Sequence, residues 1–482
     1  MQRDKRESKP IPRRTFVKPG DKIFRVPRAI SWQVLPRIIN RPRQRGISTT
    51  ILIWGFVVII LIGTFLLMLP VATESGQMTS PVDAIFTATS ASCVTGLSVV
   101  DTADHWSYFG EAVILVLAQC GGWGFMTLAT LFLLALGRRI GLRERILIRE
   151  SMGVEKLGGV VRIIRGIAIF SIIGEIIGAA LVYLSLSTQY TTGVAIWKSV
   201  FQSVSAFNNC GFDLFGGLRS MSNYQGDPML ILTTAGLIIF GGISYLVVAD
   251  IARARNFTRL SLDSKLVITT TISLLALGTL IIFLTEMNNP ATLGPLPISQ
   301  KILNAFFHAV TPRTAGFATL NVGNFANYTL FFTIFLMFVG GASGSTAGGI
   351  KVNTFGMLIA TILSTIRGKE KAGAFGREFT TQQIYRAITL AILSVVLIAV
   401  VVFILSVTEK FTFLQLLFET VSAFGTVGLS TGITPGLSIT GKLLVTLMMF
   451  IGRVGPLALV LSLAQRQRIT EFSYPEETIR IG

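Results

Sequence analysis

Four short stretches of this chain, spaced roughly 110 residues apart, each carry a phenylalanine ten positions ahead of a glycine. Glycine adopts backbone dihedrals that a side chain forbids, so an extended segment that contains it can turn several carbonyl oxygens toward one side. Carbonyl oxygens arranged in rings replace the hydration shell of a cation. The stretches read FTATSASCVTGL, FQSVSAFNNCGF, FFHAVTPRTAGF and FETVSAFGTVGL, with the glycines Gly96, Gly211, Gly316 and Gly428. They therefore indicate cation coordination by main-chain oxygens.

The composition around these stretches is that of a membrane protein. Hydrophobic residues make up 51% of the 482 residues and charged residues only 14%, and the mean hydropathy is +0.67. Apolar stretches long enough to cross a hydrocarbon core of about 30 Å as helices occur eight times. They lie near residues 50–70, 109–136, 166–187, 228–250, 265–285, 328–365, 384–407 and 441–464. The sequence therefore predicts an all-α polytopic membrane protein.

The distribution of Lys and Arg predicts the orientation of these spans. Residues 71–108 contain no Lys or Arg, whereas residues 138–165 contain eight. Basic residues collect on the cytoplasmic side of membrane proteins, and the later connections alternate in the same way. We therefore expect both termini in the cytoplasm and all four glycine stretches on the outer side.

Each glycine stretch lies between two predicted spans, so the chain reads as four tandem repeats of membrane helix, pore loop and membrane helix around one central pore. Each semi-polar stretch is too short to cross the bilayer, and we expect it to enter as a half-helix and return as extended chain that faces a watery cavity. Three half-helices carry a serine six residues before the glycine, where the third has Val310. We divide the chain into a basic N-terminal segment, 1–48, and four repeats at 49–150, 151–262, 263–380 and 381–482, the last with a cytoplasmic tail.

The motifs resemble those of a known family. CVTGL, NNCGF, RTAGF and GTVGL, together with GGASGSTAGGIK from Gly340 and GRVGPL from Gly452, are similar to the Trk/Ktr/HKT superfamily of potassium transporters. The resemblance covers about residues 50–475 and is strongest to the KtrB type of membrane subunit in bacterial Ktr systems. It implies channel-like potassium uptake across a bacterial inner membrane. It leaves open whether uptake depends on sodium.

The resemblance assigns a carbonyl selectivity filter, with potassium bound as the substrate, to three residues of each stretch. Glycine in all four stretches is the pattern that the family associates with potassium over sodium. Because only the fourth stretch approaches the TVGYG signature of tetrameric channels, we expect a shorter filter. The filter residues are Val94, Thr95 and Gly96; Asn209, Cys210 and Gly211; Thr314, Ala315 and Gly316; and Thr426, Val427 and Gly428.

Arg313 is unexpected beside a cation filter, because its charge repels the permeant ion. We expect the side chain to point behind the filter and to pair with Glu419 on the fourth half-helix, since a buried charge in a membrane needs compensation. Both residues are therefore predicted to support the filter.

A glycine-rich segment, 340–349, interrupts the sixth apolar stretch. GSTAGGIK suggests a phosphate-binding loop, but Ile350 separates the glycine from the lysine and no strand precedes it. A flexible break is a second interpretation, and the resemblance favours a third, a gate directly below the filter. Arg453 is expected to donate hydrogen bonds to carbonyl groups of this loop. The predicted gate residues are Gly340, Gly341, Ser343, Gly344, Ser345, Thr346, Gly348, Gly349, Lys351 and Arg453.

The remaining features favour no additional chemistry. The net charge is +18, and the first 48 residues hold 14 of the 42 basic residues, which suits a segment beside anionic membrane lipid better than a nucleic-acid site. We interpret Cys93, Cys120 and Cys210 as small buried hydrophobes. His105 and His308 are too separated for a metal site. We expect no enzymatic activity, no nucleic-acid partner and no cofactor in this chain.

The resemblance implies a homodimer with one pore per chain and a cytosolic partner, a ring of RCK-type regulatory subunits that carries the nucleotide, ATP/ADP or NAD. Three segments have two equally supported interpretations, as docking surfaces for the partner or as signals that set the membrane topology. They are the basic segments 138–149 and 367–377 and the tail from Gln465. The alternative function is an ion-coupled secondary cation symporter, whose site is formed by broken helices. Such a protein would show interruptions in two corresponding spans, whereas the sequence indicates one in the sixth span alone.

Overall fold

The structure is a computed structural model, and it describes residues 47–124, 127, 128, 130 and 159–455. These residues are mostly helical and include one short antiparallel hairpin, β1 (Gly373–Ala374) and β2 (Arg377–Glu378). The helices of ten or more residues are α1 (Ile47–Met68), α2 (Pro81–Ser92), α3 (Tyr108–Trp123), α4 (Val160–Leu186), α5 (Thr192–Phe207), α6 (Pro228–Ile243), α7 (Tyr245–Ala254), α8 (Leu262–Glu286), α9 (Ile298–Val310), α10 (Asn327–Phe338), α11 (Val352–Ile366), α12 (Thr381–Thr408), α13 (Phe413–Gly425) and α14 (Ile439–Val454).

The helices fall into four groups with the same order. Group 1 contains α1 to α3, group 2 contains α4 to α7, group 3 contains α8 to α11, and group 4 contains α12 to α14. In each group a first helix packs against a short helix, α2, α5, α9 or α13, and a second helix follows. The second helices are α3, α6, α10 and α14.

Packing between the groups follows one cyclic rule. The second helix of each group packs against the short helix of the next group: α3 on α5, α6 on α9, α10 on α13, and α14 on α2. The last contact closes the cycle between groups 4 and 1. Lys442 and Asp83 join these two groups through an ion pair with an N–O distance of 2.7 Å, and their side chains are 16% and 23% exposed.

Local sequence signals explain where the short and second helices begin. Ser80 accepts a hydrogen bond from the Asp83 N–H at the start of α2, and Pro81 takes the first helical position. Thr412 and Gln415 form a capping box at the start of α13. Such caps satisfy N–H groups that a helix start otherwise leaves without partners. The helices therefore start at defined residues in the connecting loops.

Three helices of the described ranges are long and apolar enough to cross a membrane, at Val161–Leu186, Leu262–Glu286 and Thr381–Thr408, and α6 with α7 makes a fourth if that bent pair is one span. The predicted class, a mostly helical membrane protein, is confirmed. The count of eight spans stays a prediction.

The fourth apolar stretch is broken as well as the sixth. Helices α6 and α7 meet at Ser244 with a bend of 88°, and Ser244 has a φ of +77°. The expectation that only the sixth stretch is interrupted is therefore wrong. The break in the fourth stretch is hard to predict from the sequence, because its only signals are Gly241 and Gly242 inside a continuous apolar run. The freed backbone finds partners in the loop 340–349. The Gly242 carbonyl accepts from the Ala342 N–H at 2.9 Å, and the Ser244 hydroxyl donates to the Gly344 carbonyl at 3.1 Å.

We expect Lys442→Met to lower the unfolding temperature of the detergent-solubilised protein by a few degrees, because it removes an ion pair that closes the cycle of groups and leaves Asp83 partly buried without its partner. The matched control is Lys371→Met. Lys371 pairs with Glu378 at 3.3 Å, but these side chains are 71% and 63% exposed, and exposed pairs contribute about 0–1 kcal/mol. Equal unfolding temperatures for the two variants would contradict the prediction.

Candidate functional site

Each short helix leads into a sharply turned segment, and the four segments meet. We call Val94–Gly96, Asn209–Gly211, Thr314–Gly316 and Thr426–Gly428 segments 1 to 4. The first residue of every segment has a positive φ: 58° at Val94, 59° at Asn209, 68° at Thr314 and 51° at Thr426. The glycines follow with φ between +77° and +91°. A left-handed conformation is unusual for non-glycine residues, above all β-branched ones, and such strain clusters at functional sites.

The glycines are required because each segment passes directly over the next. A Cβ atom built on Gly96 would lie 2.5 Å from the Cys210 carbonyl oxygen. The same atom on Gly211 or Gly316 would lie 2.7 Å from the carbonyl oxygen of Ala315 or Val427, and on Gly428 it would lie 2.1 Å from that of Thr95. The contacts run once through segments 1, 2, 3 and 4 and return to segment 1. The four segments therefore form a closed ring of main-chain atoms.

Hydrogen bonds from the short helices hold three of the segments in the same way. The N–H of the middle residue donates to the carbonyl oxygen of the serine six residues before the glycine; these bonds are Thr95 to Ser90 at 2.8 Å, Cys210 to Ser205 at 2.7 Å, and Val427 to Ser422 at 2.8 Å. The Ser90 hydroxyl also accepts from the Gly96 N–H at 3.0 Å, and the Ser205 hydroxyl donates to the Phe212 carbonyl at 2.6 Å.

Segment 3 differs from the other three in the position of the residue that holds it. This residue lies five positions before the glycine, whereas the serines of the other groups lie six positions before theirs. The Ala315 N–H donates to the Thr311 carbonyl at 3.0 Å, and the Thr311 hydroxyl donates to the Phe317 carbonyl at 2.7 Å. Thr311 thus takes the place of the serines, and Val310 does not. Phe307 is fully buried like Phe86, Phe201 and Phe418, while Phe306 is only half-buried. Alignment on the glycine alone therefore misplaces the third short helix by one residue.

Two cavities lie near the ring and the loop 340–349. One, of about 570 Å³, is lined by all four glycines and by residues that follow them, including Ser98, Asp213 and Ser430; we call it the vestibule. The other, of about 280 Å³, is lined by residues 344–347, Lys351 and Arg453, with Trp123 and Tyr245 at its wall; we call it the inner cavity. The vestibule thus opens onto the ring, whereas the inner cavity is lined by the loop 340–349 and by no residue of the four segments.

The loop 340–349 lies directly against the ring. Its Thr346 hydroxyl donates to the Asn209 side chain at 3.2 Å. A Cβ atom built on Gly348 would lie 2.1 Å from the Thr426 hydroxyl oxygen, and one built on Gly340 would lie 3.3 Å from a Thr314 methyl carbon. The loop therefore contacts the first residue of three of the four segments.

Two partly buried cations hold this loop. Arg453 donates to the carbonyl oxygens of Thr346 and Gly121, so the hydrogen bond expected from Arg453 to the loop is present. Lys351 donates to the Ala347 carbonyl. Further bonds shape the loop: Ser345 Oγ to the Ala342 carbonyl at 2.6 Å, Ser343 Oγ to Asn353 Oδ1 at 3.0 Å, the Gly340 N–H to the Ile350 carbonyl at 2.8 Å and the Val352 N–H to the Gly341 carbonyl at 3.0 Å. Gly344 and Gly349 have φ of +74° and +64°.

The predicted ion pair between Arg313 and Glu419 is wrong. Arg313 donates to the Val339 carbonyl at 3.2 Å, at the broken end of α10. Glu419 instead accepts from the hydroxyls of Ser430, at 2.8 Å, and Thr434. The carbonyl end of a helix carries partial negative charge and compensates a cation, while hydroxyl donors satisfy the carboxylate. Each residue is therefore stabilised by its own surroundings.

Sequence reasoning missed a polar cluster behind segment 2. Glu175 on α4 accepts from Gln119 at 3.0 Å, Ser171 at 2.7 Å and Asn208 at 3.1 Å. Asn208 immediately precedes segment 2 and also donates to the Gln119 side-chain oxygen at 2.7 Å. The cluster ties the end of α5 to α3 and α4. A buried Glu inside the predicted third span was its signal, since intramembrane carboxylates are rarely without a role.

A second set of missed residues consists of glycines on three of the second helices. Built Cβ atoms on Gly121, Gly241 and Gly452 would lie 2.2, 1.9 and 1.9 Å from the carbonyl oxygens of Ser92, Phe207 and Phe424. Those carbonyls belong to the residue four positions before the segment glycine. The missing side chains let the second helix touch the end of its own short helix.

This arrangement of helices around a constricted ring is that of a multi-helix membrane transporter. The crystal structure of the potassium transporter TrkH from Vibrio parahaemolyticus has the same fold, with a TM-score of 0.70 at 16% identity over 88% of this chain and 86% of that chain.

Sequence comparison identifies the family. A family model described as TrkH, cation transport protein, matches residues 36–470. The Ktr system potassium uptake protein B of Bacillus subtilis is 42% identical over 428 residues, 89% of this chain and 95% of that protein. The potassium/sodium uptake protein NtpJ of Enterococcus hirae is 38% identical over 449 residues, 92% of this chain and 99% of that protein. The chain belongs to the TrkH family of cation transport proteins, and the predicted Trk/Ktr membership is confirmed.

The ring geometry predicts that Gly428→Ala abolishes a stable ring, because its Cβ would lie 2.1 Å from the Thr95 carbonyl oxygen, a main-chain atom of the neighbouring segment. Gly432→Ala is the matched control. Gly432 also has a φ of +91°, with nothing within 4 Å of the built Cβ. An alanine at this position therefore introduces only the backbone strain of a left-handed residue, about 1–2 kcal/mol. We expect rubidium uptake per unit of membrane-inserted protein to fall more than about tenfold for Gly428→Ala alone. Similar losses in both variants would show that strain, and not the close approach, matters.

Proposed function

We propose that this protein is the translocating subunit of a potassium uptake system, with four helix–pore loop–helix repeats and eight spans around one pore. The closed ring of four segments carries the proposal, since each glycine lies against the carbonyl oxygen of the next segment. Main-chain oxygens brought together in this way replace the water of a potassium ion. The twelve residues of segments 1 to 4 are the selectivity filter of this proposal.

Two further observations support cation coordination at the ring. The short helices end one to four residues before the segments, so the partial negative charge of their carboxyl ends is directed at the ring. The buried hydroxyls of Thr95, Thr314 and Thr426 have no hydrogen-bond partner within the described ranges. Buried polar groups normally have partners, and a file of ions and water in the filter supplies them here. Arg313 and Glu419 support the filter indirectly, Arg313 by anchoring segment 3 to α10 and Glu419 by holding the loop after segment 4.

The loop 340–349 is the gate in this proposal. It lies between the ring and the inner cavity and is held by Arg453 and Lys351. These cations also place positive charge in the cavity that potassium must cross, which raises the electrostatic barrier while the loop is closed. The vestibule faces the outside of a bacterial inner membrane, and both termini lie in the cytoplasm.

Regulation comes from a partner in this proposal. The Bacillus subtilis relative is named as a component of a Ktr system, and a system of this kind pairs a membrane subunit with a cytosolic, nucleotide-binding RCK-type ring. The nucleotide, ATP/ADP or NAD, binds to that ring. The chain forms a homodimer in lipid with one pore per protomer. The segment 367–377, which contains β1 and the first residue of β2, is a docking surface. Residues 1–46 of the basic N-terminal segment, the segment 138–149 and the tail from Gln465 lie outside the described residues.

An ion-coupled symporter is the second candidate, and the break at Ser244 favours it because interrupted helices in two groups are typical of such transporters. The Enterococcus hirae relative is named a potassium/sodium uptake protein. Channel-like flux does not require a sodium gradient, whereas strict coupling does.

The first test is potassium-limited growth of an uptake-deficient bacterial strain that carries this chain with and without a cognate regulatory subunit. We expect growth rescue that depends on the subunit, rubidium flux that persists without sodium, and sodium flux that rises several-fold in Gly316→Ser. No flux from well-inserted protein under either condition would overturn the proposed function. Rubidium flux that stops without sodium would instead establish the symporter.

Asp213 in the vestibule predicts a pH dependence. Burial raises the pKa of this carboxyl to about 6, against hydrogen bonds from Ser220 and Phe215 that lower it. The carboxyl is therefore negative above this pH and neutral below it, and a cation vestibule attracts potassium less when the charge is lost. We expect the half-saturation concentration for potassium to rise about twofold as the external pH falls through about 6. Asp213→Asn should show the higher value at every pH, and a profile as steep as that of the wild type would contradict the assignment.

A further inference from the structure

The side chain of Asn209 joins three elements that the proposed function treats separately. Its Oδ1 accepts from the Thr346 hydroxyl at 3.2 Å. Its Nδ2 donates to the Arg313 carbonyl at 3.1 Å and lies 3.4 Å from the Ile238 carbonyl. Asn209 is completely buried. One amide therefore connects segment 2 to the gate loop, to the residue that precedes segment 3 and to α6.

The equivalent positions in the other segments lack this connection. They are occupied by Val94, Thr314 and Thr426, and the Thr314 and Thr426 hydroxyls have no hydrogen-bond partner in the part of the chain that the structure describes. The connection thus distinguishes one quarter of the ring from the rest, and it lies at a residue whose φ of +59° already departs from common geometry.

Thr346 is the matching residue in the loop. Its hydroxyl bonds to Asn209, while its carbonyl accepts from Arg453. If the loop is displaced so that Thr346 separates from Arg453, the hydrogen bond between Thr346 and the Asn209 amide is stretched or broken as well. The amide, in turn, is bonded to the backbone beside segment 3, so two adjacent filter segments respond to the position of the loop.

We propose that Asn209 is a specificity-determining positioning residue, which makes ion discrimination at the ring depend on whether the loop is closed. With the loop closed, the Thr346 hydroxyl fixes the amide and the spacing of segments 2 and 3 is fixed with it. When the loop moves, Oδ1 loses a buried donor, and the amide is held only through Nδ2, by the Arg313 and Ile238 carbonyls, which loosens the spacing of the two segments. The proposal rests on the proposed function, because it assumes that the ring is the filter and the loop the gate.

Thr346→Val tests this coupling because it keeps the shape of the side chain and removes only the hydroxyl. Rubidium uptake and its competition by sodium are measured in the uptake-deficient strain with the regulatory subunit present, normalised to the amount of protein in the membrane. Thr346→Ser, which keeps the hydroxyl, is the conservative variant. Ser343→Ala is the matched control, because Ser343 bonds to Asn353 on α11 and to no filter segment.

We expect Thr346→Val to increase the uptake rate and to reduce the preference for rubidium over sodium by about threefold to tenfold, the range of one buried hydrogen bond. Thr346→Ser should retain the wild-type preference, and Ser343→Ala should alter the rate alone. A higher rate with unchanged ion preference in Thr346→Val would overturn the coupling while leaving the filter and gate in place.

Two further comparisons separate the possible failures. If Thr346→Val does not accumulate in the membrane, Thr346→Ala is compared with Thr346→Ser, because both lack the methyl group and differ only in the hydroxyl. Absence of rubidium uptake by the wild type would refute the proposed function itself. A preference that falls equally in Thr346→Ser and Thr346→Val would show that packing at this position, and not the hydrogen bond, sets the preference.

Discussion

The close approach of four main-chain segments is the constraint on which the rest of this structure depends. Each segment glycine lies where any Cβ atom would overlap a carbonyl oxygen of its neighbour. Backbone atoms that crowd one another in this way cannot be held by side chains from within the ring. They must be positioned from outside, by the short helices that end at the segments and by the second helices that pack around them.

Several features outside the ring of segments follow from that constraint. Serine and threonine residues near the ends of the short helices bond back to the segments, and the strained first residue of each segment is stabilised by complete burial. Glycines on three second helices bring those helices against the short-helix carbonyls. The residues around Glu175 and the carbonyl end of α10 then supply hydrogen bonds to the Glu175 carboxylate and to one nitrogen of Arg313, since polar groups are costly to leave unpaired in a membrane.

The sequence was sufficient to predict what depends on local pattern. Apolar composition predicted a mostly helical membrane protein, and the spacing of phenylalanine and glycine pointed to four turned segments, each of which contains a glycine at positive φ. It failed where the answer depends on three-dimensional neighbours. The partner of Arg313 is a helix end, which no residue type identifies, and the bend at Ser244 is stabilised by a loop about 100 residues away. The shift from Val310 to Thr311 shows that a one-residue change in a turn is invisible when repeats are aligned on a single glycine.

The four segments belong to one polypeptide, and this has a consequence for the loop 340–349. In a channel assembled from four identical subunits, any loop inserted beneath the filter is present four times, and four ten-residue loops would compete for the same axial space. Within the described residues, the ring of this chain is contacted by one such loop, which belongs to group 3. Four segments in one polypeptide thus permit an asymmetric insertion beside a nearly fourfold ring, and each quarter is free to diverge without altering the other three.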